Sequence, residues 1–362
     1  MLQRRQEDRG RDVSCEIGTR SAGDIAIDRI EMTFEDLPEC LAMLERGGNH
    51  LGVGTSPIHT HTSPQATGKF TPCSFCLVSG MGERLIAVGE VMLDIASAEL
   101  APGETTHAPI RVRAGGSPVT AALWAFSCGI DATVVGRVGA DHAGIAVRAS
   151  IADAGVDPRL SVDPERPTGT FLEAGTGAHR AIVADRGANA GLSVSDIGEL
   201  SAAAVLVSGY VLLHDDTAEA GRAAIERAAT SWLAVDAGSA GLVTRLGAEA
   251  ALDWMSGANA IFADADEAQA LTGETGEAAA TLLAERFRLV CVKLGAAGAV
   301  ASLDGIVERR SPPERLLQGA AGAGDALAGV LLAGLVLGLD LGDALERACA
   351  AGTRAAAGRA PG

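Results

Sequence analysis

Aromatic residues are scarce in this chain: phenylalanine, tryptophan and tyrosine together make up 3% of 362 residues. A core without rings must be built from Ala, Val, Leu and Ile, and a hydrophobic content of 48% with mean hydropathy +0.22 is ample for one. Lysine is scarcer still, only Lys69 and Lys293 standing beside the arginines. With so many alanines this reads as coding bias, yet it makes Lys293 conspicuous. Positive charge is short overall. A net charge of −17 argues against nucleic acid or an anionic membrane as the main partner, while leaving room for a local basic pocket. Long apolar runs are missing too: the longest, Ala326 to Leu339, has 14 residues, too few to span a bilayer. The N-terminus carries charge but no apolar signal segment. The seven cysteines (Cys15, Cys40, Cys73, Cys76, Cys128, Cys291 and Cys349) are therefore expected to be free thiols in a reducing cytoplasm.

The length suits one large α/β domain with something smaller attached, or two domains. Residues 1–80 differ from the rest. They show no strand–helix alternation, and 50–72 is rich in Thr, Ser, Pro, Gly and His. A weak amphipathic helix is expected from Phe34 to Leu44, capped by Thr33. His59, His61, Cys73 and Cys76 are ligand types that zinc accepts, but their spacing is loose and no packed frame surrounds them. The segment reads as a disordered or accessory extension, an artefactual start upstream of Met81 being the alternative.

The domain expected over 81–362 alternates short apolar runs with helical segments. Residues 85–94 read as a first buried strand, followed by irregular or edge-strand material over 99–113. A helix follows, with Ser117 as N-cap and Pro118 in its first turn. Strands are expected at 132–136, 168–174, 178–184, 205–208, 233–236, 260–263, 289–294 and 299–303. Helices are expected at 142–154 (capped by Asp141), 217–229, from 266, 325–337 and 341–357. Such alternation implies a mostly parallel sheet covered on both faces.

One stretch stands out, Gln318-Gly-Ala-Ala-Gly-Ala-Gly-Asp-Ala-Leu-Ala-Gly329. Small residues, a single carboxylate and then an apolar helix make a phosphate-binding turn, because first-turn amides lack intrahelical acceptors and face whatever lies before them. Asp325 would be the proton acceptor beside that phosphate. A Gly-rich N-cap with an ordinary capping Asp is the alternative. Open α/β sheets bind ligands beyond the carboxyl ends of their strands. Asp94, Gly115-Gly116, Asp236, Asp264 to Glu267, Gly295 and Gly298 all fall at such ends. No Gly-x-x-x-x-Gly-Lys-Ser/Thr loop occurs. The glycines at 319–324 lack the preceding strand and later ribose-binding acid of a dinucleotide fingerprint, so an NAD-type oxidoreductase is the weaker fit.

Two segments resemble the ribokinase-like (PfkB) carbohydrate kinases. Ala114-Gly-Gly-Ser-Pro-Val-Thr-Ala-Ala122, continuing to Gly136-Arg-Val-Gly-Ala-Asp-His-Ala-Gly144, is similar to the family's N-terminal signature. Gly322-Ala-Gly-Asp-Ala-Leu-Ala-Gly329 is similar to its C-terminal one. The resemblance, covering about 84–360, implies a ribokinase-like three-layer α/β sandwich with a mostly parallel central sheet. It also implies a small β-lid near 95–112 and 168–184.

By resemblance, Asp325 is the catalytic base, and Gly322, Ala323 and Gly324 form the anion hole. Asp94, Gly115, Gly116 and Thr120 meet the sugar. Lys293, Gly295, Gly298 and Asp236 lie by the nucleotide, and Glu267 with Asp264 serves Mg2+. The implied cofactors are ATP and Mg2+, the substrate a small sugar, and a homodimer would form through the lid. Departures from the pattern occur at four places. Gly319-Ala320-Ala321 lacks the usual Asp-Thr, which argues against activation by potassium. Asp264 replaces Asn, Thr120 stands where Asn is common, and Leu327 stands for Phe. These departures keep a weak or non-catalytic homologue as an alternative.

Overall fold

The computed structural model describes residues 12–20, 25–33, 83–97, 103, 105–175, 181–313 and 321–361. The chain divides into two units, Met1–Pro72 and Cys73–Gly362. In the first, β1 (Asp12–Arg20) pairs antiparallel with β2 (Ile25–Thr33). The sequence reading placed no strand there, although Val13, Cys15 and Ile17 alternate with Ser14 and Glu16 at the period of a strand. The helix expected at 34–44, and His59, His61, Cys73 and Cys76, lie outside the described residues.

From Arg84 the second unit runs β3 (Arg84–Val88), β4 (Met92–Ser97), β5 (Arg111–Gly115), α1 (Ser117–Phe126), β6 (Asp131–Gly139), α2 (His142–Asp153) and β7 (Asp157–Asp163). It continues through β8 (Gly169–Ala174), β9 (Ala181–Asp185), β10 (Leu200–Ser201), β11 (Ala204–Ser208), α3 (Gly209–Leu213), α4 (Ala218–Arg227), β12 (Ala228–Ala229) and β13 (Trp232–Asp236). Next come α5 (Ala240–Leu246), α6 (Ala248–Trp254), β14 (Ala260–Asp264), α7 (Ala265–Thr272) and α8 (Gly276–Leu283). Last are β15 (Leu289–Lys293), β16 (Ala299–Leu303), β17 (Ile306–Arg310), α9 (Ala323–Val336) and α10 (Leu341–Ala356).

Nine strands make the central sheet, ordered β17-β16-β15-β14-β13-β11-β3-β6-β7. All its pairs are parallel except β15–β16 and β16–β17. Strands buried on both faces need no polar alternation, and β11, Ala-Val-Leu-Val-Ser, is buried throughout. Val205 and Val207 join one core with helices α3 to α8, while Ala204 and Leu206 join another with α1, α9 and α10. That division makes the three layers, helices on either side of one sheet. No helix among the described residues is long and apolar enough to cross a membrane.

Three local expectations change. The strand foreseen over 85–94 is broken. Asn189 accepts a hydrogen bond from the Val91 amide (2.8 Å) and donates to its carbonyl (2.9 Å), so the backbone leaves the central sheet there and restarts as β4 in a second one. Ser117 does not cap α1. Gly116 does, with φ 95°, because the Glu90 carbonyl occupies the space a Cβ would need. The edge strands β7 and β17 were not foreseen. β7 contains Pro158, which an edge tolerates and a central strand does not.

The second sheet, called the lid because it includes the segments expected to form one, is ordered β5-β4-β8-β9. Directly paired residues share a face. Arg113, Asp94, Phe171 and Ala184 are paired in succession and line the cavity beneath. The next row, Val112, Ile95, Leu172 and Val183, therefore points outward, and Val112, Leu172 and Val183 are exposed.

Candidate active site

Five parallel strands end at one edge of the central sheet, and the lid stands over that edge. Between them is a cavity of about 840 Å³. Glu90 follows β3, while Ser208, Asp236, Asp264 and Lys293 end β11, β13, β14 and β15, and all five line it. The start of α9 closes the third side with Gly322, Gly324 and Asp325.

That helix start has no side-chain cap. Gly322 is its N-cap in the left-handed region, φ 95°, and Asp325 is the third helical residue. The amides of Ala323, Gly324 and Asp325 therefore have no acceptor within the helix and can bind an anion. Gly329, one face further along, lets α9 cross α1 closely; a Cβ there would collide with the Ala121 carbonyl.

Burial, with Asp236 adding to it, pushes the Asp325 carboxyl up to about 6, against the pull of Lys293 and a hydrogen bond from Ser117. Lys293 Nζ donates to Asp236 Oδ2 at 2.7 Å. It also lies immediately below Gly324, since a Cβ on that glycine would come within 3.3 Å of it. The Lys293 ammonium is held well above its ordinary range by Asp236, Glu267 and Asp325 in spite of burial. Lys293 and Asp236 were expected at the nucleotide. The structure gives each the other as its short polar partner.

Asp264 and Glu267 form a reciprocal capping box on α7. Asp264 Oδ1 accepts from the Glu267 amide at 2.8 Å, and Glu267 Oε2 from the Asp264 amide at 2.7 Å. Burial and Asp236 push Glu267 up to about 8, opposed by Lys293. Both carboxylates line the cavity, each with one oxygen engaged in the box. Mg2+ keeps waters and takes one or two protein carboxylates beside phosphate oxygens, so this pair fits it. Among the described residues no group of three or more His, Cys, Asp or Glu is arranged to hold a metal by itself.

On the lid side Asp94 is pushed up to about 6 by burial, with Arg113 opposing. Gly115 does not line the cavity; it lies under Asp94, whose carboxylate fills the place of its Cβ. Gly116, Thr120 and Gly295 reach the cavity. Gly298 does not. At φ 92° it lets β16 turn beside β17, where a Cβ would strike the Arg310 carbonyl. Ala323 does not line the cavity either.

Several lining residues were given no site role from the sequence, although Arg186 belongs to the stretch Arg186-Gly-Ala-Asn189 that also resembles the family. Arg186 reaches Glu90 at 2.6 Å, Asp216 at 2.7 Å and Thr217 at 3.2 Å, fastening the end of β9 to the core. Tyr210, the only tyrosine of the chain, lines the cavity and is pushed up to about 12 by burial and by Glu267, Asp236, Asp325 and Glu90. Its rarity was the one signal available.

The pfkB family carbohydrate kinase model matches residues 83–358. The chain belongs to the pfkB family of carbohydrate kinases. The match sets aside the oxidoreductase alternative. Among solved structures, this kinase is similar to a PfkB protein from Polaromonas sp. JS666, with 26% identity over 75% of this chain and 95% of that one, TM-score 0.65. It is similar in fold to adenosine kinase from Sinorhizobium meliloti, with 21% identity over 76% and 94% of the two chains, TM-score 0.67. It also resembles fructokinase from Vibrio cholerae O395 in its fructose, ADP and calcium ion bound form, with 22% identity over 76% and 92%, TM-score 0.62. No curated protein matches it. Kinases named for adenosine and for fructose share this fold, so the fold by itself fixes no substrate.

Proposed function

We propose that this kinase transfers the γ-phosphoryl group of ATP to a hydroxyl of a sugar or sugar-like molecule, with Asp325 as general base. The observation that carries the reading is Asp325 itself. It stands on an uncapped helix turn, inside the cavity, with its carboxyl raised to about 6. A base of that strength is ionised at neutral pH yet holds a proton better than an ordinary carboxylate.

Asp94, Gly116 and Thr120 hold the sugar from the lid side. As its hydroxyl oxygen bonds to the γ-phosphorus, the bond from that phosphorus to the bridging oxygen of ADP breaks and the hydroxyl proton passes to Asp325. The amides of Gly322, Ala323 and Gly324 face the charge on the group in flight. Asp264 and Glu267 would hold Mg2+, which supplies charge neutralisation on the nucleotide phosphates. Gly295 borders the nucleotide, while Lys293, paired with Asp236, sets the field under the anion hole. The lid excludes water, favouring transfer to sugar over hydrolysis.

In this reading residues 1–80 are accessory to the reaction, and dependence on ATP supports a cytoplasmic location. The outward row Val112, Ile95, Leu172 and Val183 supports a homodimer through the lid, since an apolar row across four strands is suited to a second copy. A panel of pentoses, hexoses, keto-deoxy sugar acids and nucleosides with MgATP tests the reading. One acceptor should be phosphorylated, and Asp325→Asn should lose that activity. Full turnover by the variant would refute the assignment of the base.

A further inference from the structure

Three cationic side chains, of lysine or arginine, line the cavity among the described residues: Lys293, Arg186 and Arg113. Two are neutralised at short range. Lys293 meets Asp236 at 2.7 Å, and Arg186 meets Glu90 at 2.6 Å and Asp216 at 2.7 Å. Their side chains are only 11% and 20% exposed.

Arg113 differs. It is 49% exposed, its distance to Asp94 is 3.5 Å, and Nη2 reaches the Ala321 carbonyl at 3.4 Å. Both contacts are long for a guanidinium, whose charge-assisted hydrogen bonds normally close to about 2.7–2.9 Å. At 3.5 Å and 3.4 Å neither partner holds the guanidinium closely.

Position completes the case. Asp94 and Arg113 are directly paired across β4 and β5, and Asp94 faces the sugar side of the cavity. Ala321 is the residue before Gly322, where the uncapped turn of α9 begins. One guanidinium therefore spans the gap between the lid carboxylate and the phosphate-binding turn, joining residues 208 apart in sequence. A half-exposed, loosely held cation between an acceptor site and an anion hole has donors left for an incoming anion. Arg carries five N–H groups, and two long contacts leave most of them free for phosphate oxygens.

We propose that Arg113 is a further catalytic residue, a lid-borne guanidinium that meets the phosphoryl group as it passes from the nucleotide to the sugar hydroxyl. The proposal rests on the kinase reading above. It adds a side-chain cation to an anion hole otherwise made of backbone amides. No bond to Arg113 forms or breaks, and the proton still goes to Asp325. Because its charge rides on β5, transfer is favoured only with the lid in place.

The test compares wild type, Arg113→Met and Arg113→Lys in two measurements. Equilibrium binding of MgADP is measured with and without aluminium fluoride, a mimic of the group in transfer. With the acceptor found in the panel, kcat and KM are measured separately. The Met variant should bind MgADP as wild type does but lose the tightening by aluminium fluoride. It should show kcat lower by roughly 10²–10³-fold with a much smaller change in sugar KM. The Lys variant should recover part of both, and its turnover keeps the test decisive if the Met variant folds poorly. Wild-type kcat and undiminished tightening in the Met variant would overturn the proposal, as would a rise in sugar KM alone, which would confine Arg113 to holding Asp94. Failure of wild type to bind MgADP would instead sink the kinase reading, and this proposal with it.

Discussion

The ammonium of Lys293 lies 2.7 Å from the carboxylate of Asp236, directly below Gly324. Lys293 ends β15 and Asp236 ends β13, with β14 running between them. One positive charge thus stands under an anion-binding turn and among three carboxylates, Asp236, Glu267 and Asp325.

Removing that charge should be felt twice. Lys293→Met leaves Asp236 buried without its partner, a loss of about 3–5 kcal/mol in urea unfolding. It also removes the cation that holds Asp325 down, so the acidic limb of kcat/KM should move to a pH above the wild-type one. An unmoved limb would show that Lys293 does not act on the base.

The pH dependence of wild type follows from Asp325 itself. Its carboxyl is raised to about 6, and only the ionised form accepts a proton, so activity should fall as pH drops through about 6. Asp325→Asn should lower kcat by roughly 10²–10⁴-fold and flatten that limb.

The same shift predicts a trade between activity and stability. A carboxyl raised in the folded state favours folding while protonated. It loses that advantage as pH rises from about 4, the unfolded value, to about 6, at about 1.4 kcal/mol per pH unit. Asp325→Asn, neutral at every pH, should therefore unfold at a higher urea midpoint than wild type at pH 7 and at nearly the same midpoint at pH 4. Equal midpoints at pH 7 would contradict the burial assigned to this carboxylate.

Gly115 should tolerate no side chain, because the carboxylate of Asp94 occupies its Cβ position. Gly115→Ala should raise KM for the sugar at least tenfold (about 1.4 kcal/mol) while leaving MgADP affinity near wild type, as calorimetry would read. Loss of both together would mean that the lid as a whole has shifted.

Asp264 is asked to do two things. Asp264→Ala breaks the capping box on α7, at about 1 kcal/mol in thermal unfolding without Mg2+. It should also raise the Mg2+ concentration needed for half-maximal activity at fixed ATP. A melting change with an unaltered Mg2+ titration would leave Asp264 a cap alone.

The sequence by itself determined the strand–helix alternation, the parallel sheet, the glycine-rich turn and the one carboxylate placed in it. Each depends on neighbours along the chain: an apolar run makes a buried strand, and small residues before an apolar helix leave its first amides open. It also brought Asp236, Asp264 and Glu267 to strand and helix ends, where ligands gather, whereas Asp94, expected at such an end, lies inside β4 of the second sheet because the backbone restarts there. Only the tertiary structure decided who meets whom there. Lys293 and Asp236 are 57 residues apart, Arg186 and Glu90 are 96, and Arg113 and Ala321 are 208. Sheet order and lid register set those distances, and neither is a local property. The same reason moved the α1 cap from Ser117 to Gly116, where the Glu90 carbonyl, in the connection between β3 and β4, left no room for a side chain. It also turned Gly298 from an expected ligand contact into a turn required by its neighbouring strand. The turn at Gly322 to Asp325 was written in the chain, whereas the charges that make it a reacting site came together only when the sheet closed under the lid.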